Sequence, residues 1–190
     1  MLGVVAIIVV ATSKGRLRGI GFAIGAICVG FFFWGILAAI AIPAFTTYMK
    51  RSKNFEATHN IDRMYDGAAA YWDAERLGPN GEPVTHRLPP SVDWTPVTSC
   101  CEQSGGEGKC NAAASSAAWD APTWRALGFA LTDNFYYQYR FVFEGDVARF
   151  QAQGDLDCDG TFSLFERTAE IGSDGTLRGG FEIYKDDPLE

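Results

Sequence analysis

The sequence predicts an α+β protein in which one long N-terminal helix packs on a four-stranded antiparallel sheet. Three observations support this prediction. No charged residue occurs between Arg18 and Lys50. The polar segment that follows keeps apolar residues at helical spacing, without a turn signal before residue 78. Aromatic and β-branched runs separated by turn residues then occupy residues 135–184.

The charge-free run is long enough to cross a membrane, because about 20 apolar residues span the bilayer core. We assign residues 22–46 to this span, and residues 1–21 to a leader or cytoplasmic segment. A buried core helix is the alternative reading. The basic residues before the run are Lys14, Arg16 and Arg18. They predict a cytoplasmic N-terminal side, although basic residues also follow the run, beginning at Lys50.

The helix is predicted to continue through residues 47–77 as an amphipathic half. Pro43 removes one backbone donor, so a kink or local unwinding is expected there. The Gly78-Pro79-Asn80-Gly81 sequence ends the helix. Residues 78–190 then form a globular head.

The head begins with a proline-rich loop, residues 79–118, that contains three cysteines. Cys100, Cys101, Cys110 and the later Cys158 form an even set on the predicted outer side, which suggests two disulfides. A bond between adjacent cysteines is strained, so Cys100 pairs with either Cys110 or Cys158. Zinc is the rival interpretation, but tetrahedral sites use more closely paired cysteines. Cys28 fits the apolar span as a filler.

The second part of the head is predicted to contain a short helix at residues 120–128 and then the sheet. Asp120 is the expected cap of that helix, with Pro122 in its first turn. Turn residues separate the strands, and Ser173-Asp174-Gly175 is a hairpin signal. The four predicted strands are residues 135–144, 148–153, 161–171 and 177–184.

An acidic segment between the second and third strands fits the twelve-residue calcium loop pattern. The candidate ligands are Asp155, Asp157, Asp159, Thr161 through its carbonyl, Ser163, and Glu166. Gly160 permits the sharp turn. A solvated acidic turn is the alternative. If residues 161–167 form a strand, Glu166 shares a face with Phe162 and Leu164 and does not necessarily reach the ion.

The composition argues against some classes of function. The net charge of -7 and the pI near 4.8 disfavour nucleic acid as a partner, since phosphate binding needs a basic face. An enzyme needs a poised base or nucleophile, and neither His59 nor His86 falls in a recognisable constellation. We therefore expect no catalytic activity.

Residues 14–57 resemble the type IV pilin family and the pseudopilins of type II secretion. The resemblance rests on the run from Gly35 to Pro43, the aromatic Phe45, and Arg51-Ser52-Lys53 followed by Glu56-Ala57. It implies that Gly21-Phe22 is a prepilin peptidase site and that the new N-terminus is methylated. It also implies an inner-membrane subunit whose partners are its own copies or related pilins, together with the assembly machinery. Some pseudopilins hold calcium near the C-terminal sheet.

The sequence departs from the family at Ala26, where pilins usually carry a glutamate. Two functions therefore stay open. The first is a structural subunit, a minor pilin or pseudopilin, whose helices pack through the small residues Gly35, Ala38 and Ala39 beside Pro43. The second is an uncleaved, membrane-tethered, extracytoplasmic calcium-binding module that does not assemble.

Overall fold

The computed structural model describes residues 20–78, 80–84, 86–105 and 107–190. The predicted leader therefore lies almost entirely outside the described residues, including Lys14, Arg16 and Arg18. The described chain forms two compact units that meet in sequence between Tyr48 and Met49. The first unit is the apolar part of the long helix, and the second is the remainder of the chain.

The long helix, α1, covers Ile20–Asp73 and has 54 residues. It is continuous through Pro43, so no local unwinding occurs there, and the Thr46 hydroxyl donates to the Pro43 carbonyl at 2.9 Å. The helix ends at Asp73, four residues before the boundary expected at residue 77, and Arg76–Leu77 is a short strand.

The sheet in the second unit has six strands, so the prediction of four was wrong. All neighbouring strands are antiparallel, in the order β3-β4-β5-β6-β7, and β8 also pairs with β6. The strands are β3 Val92–Thr95, β4 Gln138–Glu144, β5 Val147–Gly154, β6 Ser163–Ile171, β7 Leu177–Gly179 and β8 Tyr184–Asp186.

Two features explain the difference in strand number. β3 lies between Pro90 and Pro96, so the prolines flank this strand and do not interrupt its pairing with β4. The last predicted strand is divided by the Gly179-Gly180 pair. Its two halves, β7 and β8, pair with different parts of β6.

The segment between α1 and β4 is made of short elements. β1 Arg76–Leu77 pairs with β2 Pro83–Val84. Four short helical segments follow β3: α2 Cys100–Ser104, α3 Ala112–Ser115, a 3-10 turn Ser116–Asp120 and α4 Pro122–Ala126. Ala121, and not the expected Asp120, occupies the N-cap position of α4. Asp120 instead forms an ion pair with Arg125 at 3.2 Å.

The core lies where the second part of α1 packs on one face of the sheet. The buried helix residues recur every three or four positions: Ala57, Ile61, Met64, Ala68 and Trp72. The sheet contributes Tyr139, Phe141, Phe150, Ala152, Phe165 and Ala169, and Tyr137 lies just before β4. Trp119, Trp124 and Phe129 extend this core beside β3 and β4. The close packing of this unit holds the functional candidates in defined positions.

Candidate functional site

The residues of the implied processing site begin the described part of α1. Gly21 and Phe22 are both helical, and 90% of the Phe22 surface is exposed. A Cβ atom added to Gly21 would meet nothing within 4 Å. Among the described residues, nothing therefore covers Gly21.

The apolar part of α1 presents its side chains outward. Phe31, Phe32, Phe33 and Trp34 are between 60% and 78% exposed. The small residues Gly35, Ala38 and Ala39 are also exposed. A helix that is apolar on all sides and exposed is suited to lipid or to other helices, because water would make such a surface costly. By length and composition it can serve as a membrane anchor or as a signal sequence.

Two disulfides start from α2, and one of them reaches the acidic loop. Cys100 is bonded to Cys110, and Cys101 is bonded to Cys158. This is one of the two pairings that the sequence left open. Both disulfides start from adjacent residues of α2, where the Ser99 side chain caps the helix by accepting from the Glu102 amide at 3.3 Å. The second disulfide fixes Cys158, which lies between two candidate metal ligands.

The acidic loop brings three of the predicted ligands together. One carboxylate oxygen from each of Asp155, Asp157 and Asp159 lies within 4.8 Å of the others. Asp155 is buried, and its two oxygens accept from the amides of Asp159 at 3.2 Å and Gly160 at 2.9 Å. Gly160 has φ of 95°, which a glycine adopts without strain. The loop therefore positions these carboxylates by its own backbone.

Lys50 of α1 supplies a cation to this loop. Its Nζ lies 2.8 Å from an Asp157 carboxylate oxygen and 3.9 Å from Glu190 Oε2. The hydrogen bond to Asp157 raises the pKa of Lys50, and the same bond lowers the pKa of Asp157. The sequence pattern did not identify this pair, because 107 positions separate the two residues.

The other predicted ligands are placed differently. Thr161 donates its amide to Asp159 at 2.7 Å, so its backbone lies beside the cluster. The Ser163 hydroxyl is buried and donates to the Gly154 carbonyl at 2.8 Å. Glu166 lies in β6, where its carboxylate contacts Gln151 and Arg149. Ser163 and Glu166, from the second half of the predicted calcium loop, therefore lie in β6, where their side chains contact other residues.

The geometry of the three aspartates fits a cation with oxygen ligands. Two oxygens bound to one Ca²⁺ at about 2.4 Å can be at most about 4.8 Å apart, and the aspartate oxygens meet this limit. Cys101, Asp155 and Cys158 are also mutually close. Their sulfurs are in a disulfide, whereas zinc binds thiolates, so this second group does not favour zinc. The acidic cluster can hold a metal ion.

A buried polar network also connects α1 with β4, and sequence reasoning did not find it. Asn60 donates to the Tyr139 hydroxyl at 2.8 Å, and Tyr139 donates to Glu56 at 3.2 Å. Glu56 also accepts from the Tyr136 amide at 2.9 Å. Burial raises the pKa of Glu56, although these hydrogen bonds oppose the change. The signal was the position of Asn60, three residues after Ala57 and four before Met64, on the buried stripe.

No protein-family model, curated protein or solved structure matches the chain. The structure itself defines a long N-terminal helix with an apolar first part, packed through its second part on an antiparallel sheet. This architecture is compatible with a pilin-like fold at that coarse level.

Proposed function

We propose that the chain is a structural subunit, a minor pilin or pseudopilin, of a type IV pilus or a pilus-like secretion filament. One observation carries this proposal: a single helix, α1, is exposed and apolar in its first part and buried against a folded head in its second. In a soluble protein this apolar surface would be exposed to water, which is costly. The proposed role is structural and not catalytic.

The helix suits two successive environments. Residues 22–46 extend about 37 Å at about 1.5 Å per residue, which is enough to cross a bilayer core of about 30 Å. During assembly, lipid around this segment is replaced by helices of neighbouring subunits. Lipid is as apolar as those helices, so association depends on close approach at small residues such as Gly35, Ala38 and Ala39. The partners are other copies or related pilins, with prepilin peptidase and the assembly machinery acting in the inner membrane.

We further propose that the metal held by the acidic loop is Ca²⁺. The ligand set contains only oxygen atoms, from Asp155, Asp157 and Asp159. The Thr161 carbonyl and water are the further ligands that we propose. Three carboxylates this close repel one another in the absence of a cation. Calcium would relieve this repulsion and stiffen the loop that Cys158 attaches to α2.

The membrane-tethered module is the second candidate, and Ala26 favours it. The residue is exposed and carries no carboxylate to pair with the terminal amine of a neighbouring subunit. A charge in lipid is costly unless it is paired, so cleavage before Phe22 would leave an amine without that partner. In this second candidate the chain keeps its leader and the head binds calcium without assembling.

The intact mass of the protein from its native membrane distinguishes the two candidates. A filament subunit should begin at Phe22, with the added mass of a methyl group, and should appear in the sheared filament fraction. Gly21→Leu should retain the leader, whereas the control Gly25→Leu should still be cleaved. An intact leader in the native protein would contradict the filament proposal.

Calcium binding can be measured independently on the full-length chain in detergent. Calorimetric titration should give heat of binding, and a chelator should lower the melting temperature of the head. Asp155→Asn and Asp159→Asn should remove both effects. The control Asp174→Asn changes an exposed aspartate in a different turn, where it contacts Thr176 and Arg178, and should change neither. Absence of heat in the native protein would refute the calcium assignment.

A further inference from the structure

The head carries an apolar groove at one edge of its sheet. The groove has a volume of about 560 Å³, within the range of ligand pockets. It lies beside β4, between the end of α1 and the segment before β3. Six residues that shape it are Tyr71, Leu77, Arg87, Leu88, Pro89 and Phe143.

Arg87 lies at the rim of the groove. Arg87 is exposed, and its guanidinium forms no ion pair or hydrogen bond with the described residues. Arg76, in contrast, is fully engaged: it stacks on the Tyr71 ring at 3.6 Å and donates to the Arg87 carbonyl at 3.1 Å. A ligand that suits the groove therefore combines an apolar group with an anion.

The opposite edge of the same sheet presents that combination. Phe181, between β7 and β8, is 102% exposed, and Glu182 beside it is also exposed. Within the described part of the chain, Glu182 has no ion-pair partner. The strand order places β5 and β6 between β4 and β7. Phe181, the knob, and the groove therefore lie toward opposite edges of the sheet.

We propose that Phe181 of one copy enters this groove on the next copy, with Glu182 beside Arg87 of that copy. Two different complementary surfaces on one molecule make a head-to-tail contact, and such contacts generate open helical arrays when they do not close into a ring. Aromatic anchors in pockets with a charge pair at the rim are typical of specific interfaces. This inference rests on the proposed filament role and names a contact between the globular heads of neighbouring subunits.

The contact acts only between copies that are already held together. An enclosed phenylalanine buries about 150–250 Å², well below the about 1,200–2,000 Å² of a stable interface. Helices anchored in one membrane raise the effective concentration of the heads, so a weak contact becomes populated. The experiment therefore uses the full-length chain in membranes.

Cysteine crosslinking tests the contact directly. The background is Cys28→Ser, and the reporter cysteines are Gly180→Cys beside the knob and Pro90→Cys at the groove. A short bismaleimide should give a ladder of dimers and larger species when both cysteines are in one chain. Two single-cysteine chains should crosslink when mixed but not alone. Gly180→Cys with Asp133→Cys, an exposed position away from the groove, is the control and should give no ladder.

Charge exchange in the double-cysteine chain tests the rim pair. Glu182→Arg or Arg87→Glu alone should lower the dimer yield at least about threefold, and the two together should restore it. Phe181→Ala should also lower the yield, with an unchanged melting temperature of the head.

Equal crosslinking by each single cysteine alone, crosslinking to a different protein, or no ladder in membranes that contain filaments would overturn the proposal. A ladder from chains that keep their leader would instead contradict the filament role and leave the contact standing.

Discussion

Lys50 and Asp157 form an ion pair between α1 and the acidic loop, with the Lys50 Nζ 2.8 Å from an Asp157 carboxylate oxygen. The ammonium group contacts one of the three carboxylates that would hold a metal ion. Lys50 therefore neutralises the loop in the absence of metal, and it competes with metal for Asp157. Metal binding at the loop would therefore weaken a contact between the loop and α1.

We predict that Lys50→Ala increases the affinity of the loop for Ca²⁺. The partly exposed pair is worth about 0.2–1 kcal/mol, so the dissociation constant should fall by up to about fivefold. Calorimetric titration of the full-length chain measures this change. Lys53→Ala is a matched control, because Lys53 lies over the Tyr136 ring at 4.3 Å and loses the same charge. Equal effects of the two substitutions would show that only net charge matters.

The two disulfides should differ in their contribution to stability. Their sequence separations are 57 residues for Cys101–Cys158 and 10 for Cys100–Cys110. Loop-closure entropy then gives about 4 and about 3 kcal/mol, respectively. Replacing both cysteines of a pair with serine, followed by thermal unfolding of the head, should show the larger loss for the longer loop.

The same variants separate stability from metal binding. Cys158 lies between Asp157 and Asp159, so only loss of the Cys101–Cys158 bond should weaken Ca²⁺ binding. The Cys100–Cys110 variant provides the control. If both variants bind Ca²⁺ equally, the disulfide does not organise the loop.

Glu56 should make the stability of the head depend on pH. Burial raises its pKa in the folded state above the ordinary value for a glutamate, so the folded state binds this proton more tightly than the unfolded state. The stabilisation is complete below the ordinary pKa and is lost as the pH rises through the raised pKa. Glu56→Gln does not titrate, so the wild-type minus variant difference in unfolding free energy should fall across that window.

Melting temperatures of both proteins between pH 4 and pH 8 provide this measurement. Glu182→Gln is the control for the loss of one carboxylate, because it removes an exposed side chain outside the buried network. A flat difference curve for Glu56→Gln would contradict the role of burial at Glu56.

The order of the main elements followed from the sequence because periodicity reports burial directly. The apolar run and the stripe through Ile61, Met64 and Ala68 indicated one helix with two environments. β3 was not predicted, because four residues between prolines give too weak a local signal. Its pairing with β4 comes from tertiary packing, which includes the hydrogen bond from Trp124 to Thr95 at 3.0 Å. The break between β7 and β8 was not predicted for the same reason, because it depends on how each strand pairs with β6.

The candidate metal site was predicted only in its first half. Asp155, Asp157 and Asp159 lie close together because a short loop sets their spacing locally. The position of the Glu166 side chain depends on the register of β6, which places this residue opposite Gln151. Contacts such as Lys50 with Asp157 join distant parts of the chain, and no local pattern specifies them.

Two glycines of α1 should respond differently to alanine. A Cβ atom at Gly67 would lie 1.9 Å from the Leu127 carbonyl oxygen, so the helix and the segment after α4 would have to separate. Overpacking of this kind costs about 1–3 kcal/mol, more than the about 1 kcal/mol that alanine contributes as a helix former. A Cβ atom at Gly35 meets nothing within 4 Å. Gly67→Ala should therefore lower the melting temperature of the head, measured by circular dichroism in detergent, and Gly35→Ala should leave it unchanged.

If Gly35 provides a close approach between neighbouring helices, Gly35→Leu should reduce the subunit in the sheared filament fraction while the head melts normally. Loss of head stability in Gly35→Leu would instead assign that glycine to the fold of the single chain.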